Sequence, residues 1–91
     1  MMTDNNANIR RKAFGIMKSI EIMNEKERLL HPSSAYGKNY NKLRNLCETN
    51  NSNLVQYLPP IVEFTEYDET EHRFAEIHSF CSEIYHLLEE A

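Results

Sequence analysis

Two stretches of this chain repeat a spacing that metal chemistry uses. Glu69-x-x-His72 and Glu83-x-x-His86 each place a carboxylate three residues before an imidazole. Helical carboxylate bundles hold paired metal ions with that spacing, because residues three apart project from the same side of a helix. Fourteen residues separate the copies, which is about 21 Å of helical rise. One chain therefore cannot bring both to a single dinuclear centre. The same pattern arises readily in any acidic helix with histidines on its wet face, so no metal site is assigned and a metal-binding helical bundle stands as the remote alternative.

His78 and Cys81 form a second ligand-capable pair at helical spacing. Two ligands do not make a zinc site, and Cys81 falls on an apolar stripe. The expectation is a packed thiol beside a hydrogen-bonded histidine. A cysteine nucleophile would need a third orienting group and a pocket, and the sequence points to neither. The chain also lacks a glycine-rich phosphate loop, a nucleophile elbow and an HExxH motif. It reads as a protein without catalytic activity or cofactor.

The segment Lys38-Asn39-Tyr40-Asn41-Lys42-Leu43-Arg44-Asn45 mixes cations, amides and an aromatic ring. Asn and Arg can read base edges and Lys can bind phosphates. Lys38, Lys42 and Arg44 are thus candidate nucleic-acid contacts, with Arg10, Arg11 and Lys12 as added phosphate ligands. Against this, the net charge is −4, whereas a strong nucleic-acid footprint needs a basic domain. A polar helix face explains the segment better, and nucleic-acid binding stands second to protein binding.

That net charge hides an asymmetry. Residues 1–46 carry nine Lys or Arg against four acids, while residues 47–91 carry Arg73 alone against ten. A basic half joined to an acidic half can pair within a chain or between chains. The 91 residues amount to one domain, near the lower limit for a hydrophobic core alone. Two Gly and three Pro are few for a loop-rich chain and favour helices. No run of about 18 apolar residues offers a membrane span, and MMTDNNANIRRK lacks the apolar centre of a signal peptide. A cytosolic location is the expectation, with Cys47 and Cys81 as reduced core thiols.

The elements follow from periodicity. Phe74, Ile77, Cys81, Ile84 and Leu88 step by three and four along one helical stripe. The rhythm extends back to Tyr67 and, with Phe64, towards Pro60. A last helix over 67–90, or 60–90, is therefore expected, although IVEFTEY is rich in strand-forming residues. Ile9, Ala13, Ile16, Ile20, Met23 and Leu30 set a first helix over about 7–30, after a frayed start at 1–6. Gly15 inside it costs about 1 kcal/mol against Ala unless it marks a close helix contact. His31-Pro32 ends it. Ser33 or Ser34 caps a shorter helix from Ala35 to Thr49, with Tyr36, Tyr40, Leu43 and Cys47 on one side and Leu46 beside them. Asn53 and Gln56 resemble a capping box for a short turn at 54–58.

The expected fold is all-α. Two long antiparallel helices are joined by two short ones, and a second chain completes a four-helix core. Phe14, Met17, Ile22, Phe74, Phe80 and Leu87 are the apolar remainder assigned to the interface. Tyrosines 36, 40, 57, 67 and 85 suit half-buried edges, including interfaces. The function implied is a self-associating protein-interaction or regulatory module.

Overall fold

The C-terminal stripe forms a helix in the computed structural model, which describes residues 4–89. This is α4, Phe74–Glu89, with Ile77, Cys81, Ile84 and Leu88 fully buried along it. Helix α1 spans Asp4–Glu21, a single turn α2 spans Glu25–Arg28 and α3 spans Ser34–Asn50, followed by a 3-10 helix at Ser52–Tyr57. The chain is all-α, and no described helix is long and apolar enough to cross a membrane.

Helix α1 lies between the other two and runs antiparallel to both. Towards α4, Arg10 Nε donates to the Tyr85 carbonyl at 3.1 Å and His78 Nε2 meets Glu21 Oε2 at 2.9 Å. Towards α3, the Asn6 and Asn51 amides exchange hydrogen bonds of 3.0 and 2.8 Å. At the other end of that pair, the Ser19 and Tyr36 hydroxyls are 3.2 Å apart. Ile9, Ala13, Met17 and Ile20 of α1 meet Tyr40, Leu43 and Cys47 of α3 and the α4 seam in one core.

The first helix stops at Glu21 rather than near Leu30. Asn24 opens a new turn there, accepting from the Glu27 amide at 2.8 Å while Glu27 Oε1 accepts from the Asn24 amide at 3.2 Å. Arg28 then closes the end of α1, its guanidinium donating to the Glu21 and Met23 carbonyls. The start differs too. Residues 4–6 are helical and Asn6 is buried, so of the expected frayed segment only 1–3 fall outside the described residues.

Residues 61–73 are not helical. Thr65 Oγ1 accepts from the Tyr67 and Glu69 amides, and Asp68 adopts a left-handed φ of 61°. The chain doubles back there, with isolated antiparallel bridges between Phe64 and Thr70 and between Ser33 and Glu69. The backbone partners for this strand-like stretch are its own continuation and the segment around Pro32, whose carbonyl accepts from the Thr70 amide at 2.9 Å. Helix α4 thus starts at Phe74, where Glu76 reaches back to the Arg73 amide. Of the expected span 67–90, residue 90 lies outside the described residues.

The middle helix is the other correction. Helix α3 has 17 residues, against 18 for α1 and 16 for α4. It packs on α1 from the Asn6–Asn51 contact to the Ser19–Tyr36 contact, so it is a third long helix of the core rather than a short connection.

Candidate functional site

Helices α1 and α3 meet along one edge in an open groove of about 720 Å³. Its apolar floor is Leu43, which is buried, with the half-buried Ile16 and Tyr36. Leu46, 41% exposed, continues the apolar surface outwards. Along α3 the lining residues Tyr36, Asn39, Leu43 and Leu46 recur at helical spacing. Along α1 they are Lys12, Gly15, Ile16 and Ser19.

Gly15 lines the groove without a side chain. A Cβ built on it would meet nothing within 4 Å. The close approach expected at this glycine belongs to Gly37 instead, where a Cβ would stand 2.4 Å from Thr70 Cγ2. At one end of the groove the Ser19 hydroxyl donates to the Ile16 carbonyl at 2.7 Å, which leaves the Tyr36 hydroxyl to donate to Ser19. Burial holds the Tyr36 phenol above its usual pKa, so it stays neutral and protonated.

Charge is as one-sided as shape. Residues 5–20 and 34–47 together hold seven Lys or Arg and no acid. Several are engaged within the fold. Arg10 lies 4.1 Å over the Tyr85 ring, Lys18 pairs with Glu21, and Lys38 sits 5.9 Å from the Phe64 ring. Lys12 and Lys42 remain on the groove walls, and neither has an ion pair among the described residues. The register set by Asn6–Asn51 and Ser19–Tyr36 brings Lys12 level with Leu43. The two lysines line facing walls of the groove.

The segment singled out for nucleic acid is largely consumed by the fold. Arg44 Nε donates to the Pro59 carbonyl, and its guanidinium pairs with Glu48. Asn41 exchanges bonds of 3.1 and 2.8 Å with the Val62 carbonyl and amide, and the Tyr40 hydroxyl donates to the Pro60 carbonyl at 2.8 Å. These side chains strap residues 59–62 onto α3. Of Lys38, Lys42 and Arg44, Lys42 alone faces the groove.

The six apolar residues assigned to an interface do not form one patch. Met17 belongs to the core, and Phe74 packs edge-on against Tyr36 with centroids 5.1 Å apart. Phe80 lies between Tyr40 and His72, at 5.9 and 5.3 Å, and Leu87 is half-buried. Phe14 leans on Tyr85, while Ile22, 86% exposed, stands at the end of α1.

In both metal-like pairs the histidine bonds a different carboxylate. Glu69 lies outside any helix, and His72 bonds Glu76 instead of Glu69. His86 faces Glu89 rather than Glu83. Among the described residues no three His, Cys, Asp or Glu side chains gather where they could hold one ion. His78 bonds Glu21, and Cys81 is a packed core thiol whose pKa burial pushes up to about 12. Cys47 is likewise buried and free, with its pKa raised by the same cause.

No protein-family model, curated protein or solved structure matches this chain.

Proposed function

We propose that this chain is a non-catalytic protein-interaction module that works by docking another polypeptide in the α1–α3 groove. The observation that carries the reading is an open, apolar-floored groove on a core that three helices of one chain already close. A stable core leaves the groove free for a partner, and a groove between two helices suits an inserted apolar stripe. Its polar groups are two lysines, an amide and hydroxyls, a set that orients and attracts rather than one that pairs a nucleophile with a base. A reducing, cytosolic setting fits the two free thiols of the core.

Self-association is the second reading, favoured by the segregation of charge. The two groove helices are basic, while α4 carries Glu76, Glu83 and Glu89 and no Lys or Arg. A second copy could set its acidic side against the groove.

A photo-crosslinking residue at position 46 tests the reading in cell extract. Capture of a partner polypeptide from position 46, and not from the exposed position 83 on α4, is the expected result. A product of two copies of this chain would select self-association, reported also by light scattering at twice 10.8 kDa. Equal capture from both positions would refute groove docking.

A further inference from the structure

We infer that the occupant of the groove is an amphipathic helix from a partner protein, with acidic residues flanking its apolar stripe. The inference rests on the docking reading above and adds the partner's chemistry. Length comes first. Tyr36 to Leu46 spans about 15 Å at the helical rise, which accommodates two to three turns of a helix. The floor supplied by Ile16, Tyr36 and Leu43 accepts apolar side chains at positions i, i+3 or i+4, and i+7. Gly15 lines the α1 side without a side chain, and a side chain built there would meet open space.

Charge decides the rest. Lys12 lines the α1 wall and Lys42 the α3 wall, so a carboxylate beside the stripe would meet a cationic side chain from either helix. An acid is attracted at that point and a cation repelled. The wider field agrees, because the two groove helices, Asp4–Glu21 and Ser34–Asn50, together carry seven cations against three acids. A nucleic-acid duplex would also answer to positive charge. However, Arg44 and Asn41, the groups best suited to base edges, are engaged with the backbone at 59–62, and a phosphate backbone has no use for the apolar floor.

The probes are two synthetic helical peptides of about 15 residues. Both carry Leu on one stripe, flanked in one by Glu and in the other by Lys. The unmodified protein should bind the Glu peptide, more weakly as salt rises, and should bind the Lys peptide at least about tenfold less tightly. Lys12→Glu with Lys42→Glu should reverse that preference. Gly15→Trp should abolish binding while leaving the helical circular dichroism unchanged. Leu46→Glu, at an exposed position, is a second block should the tryptophan disturb the fold. Equal binding of both peptides, lost in Gly15→Trp, would overturn the acidic occupant while leaving groove docking intact. Binding of neither peptide, or binding indifferent to both blocking variants, would overturn both. The inference also fails if duplex DNA competes for the groove more strongly than the Glu peptide. A stable dimer of the unmodified protein that Gly15→Trp splits would overturn it in favour of a second copy.

Discussion

Gly37 and Thr70 touch so closely that a Cβ on the glycine would lie 2.4 Å from Thr70 Cγ2. Thr70 is fully buried, and the rings and methyls of Phe64 and Val62 crowd the same spot. This contact seats the non-helical stretch 61–73 on the first turn of α3. Gly37→Ala should therefore destabilise the protein by about 1–3 kcal/mol through overpacking, despite the helix propensity it gains. Gly15→Ala, in open space, should instead stabilise it by about 1 kcal/mol. Urea denaturation separates the two, and equal shifts in the midpoint would mean that the packing of 61–73 is wrong.

Ile84 has no exposure and sits on the α4 seam, while Glu83 beside it is exposed. Burial of an Ile side chain contributes about 1.5–3 kcal/mol, and Ile84→Asp would also bury an unpaired charge. The expected loss is at least about 4 kcal/mol, enough to leave a small domain largely unfolded by circular dichroism. Glu83→Ala should leave the thermal midpoint nearly unchanged.

What periodicity could reveal was local. The stripe 77, 81, 84 and 88, the α3 set 40, 43 and 47, and the Ser33 cap all stand where spacing and side-chain chemistry place them. The break at Asn24 was also written locally, as an Asn and Glu three residues apart, but the apolar rhythm running on to Leu30 obscured it. Residues 61–73 were less accessible, because 63–65 pair with 69–71 across a tight turn and 68–70 pair with 32–34, 34 to 38 positions away. Nothing within IVEFTEY identifies those partners. The stripe of α1 also turned slightly from the seven-residue repeat. Met17 took the core position expected of Ile16, which was left to face α3 at the groove. A helix of 3.6 residues per turn drifts in this way from a strict heptad. The groove needed two helices to meet in one antiparallel register, and only its ingredients, Gly15 and the lysines, were visible beforehand.

Asn6 and Asn51 are both buried, at 6% and 7% exposure, and bond each other reciprocally. Asn51 Nδ2 also reaches the Cys47 carbonyl at 3.0 Å, joining the end of α3 to the start of α1. Asn51→Ala would leave buried polar groups unmet, at a cost of about 1–3 kcal/mol. Because the two amides act together, Asn6→Ala combined with Asn51→Ala should cost clearly less than the sum of the single changes. Strict additivity in a double-mutant cycle would show that the pair is not coupled.

Acid should loosen the start of α4 from its neighbours. The Glu21 carboxyl is held below its ordinary 4.5, chiefly by the His78 hydrogen bond and then by Lys18. Glu76 is lowered in the same direction, first by His72 and then by the Arg73 amide. A carboxyl depressed in the folded state binds fewer protons there than in the unfolded chain. Its contribution is complete above the unfolded value of 4.5 and is lost as pH falls through the lower folded value. Both groups are exposed, so water screens each contribution and the effect is small. Denaturation midpoints measured on either side of pH 4.5 should fall towards acid in the unmodified protein. Glu21→Gln should start from a lower midpoint near neutrality and lose less on acidification, because the carboxylate that bonds His78 and Lys18 is already gone. If Glu21→Gln followed the unmodified protein across the whole range, the His78 contact would contribute nothing to holding the two helices together.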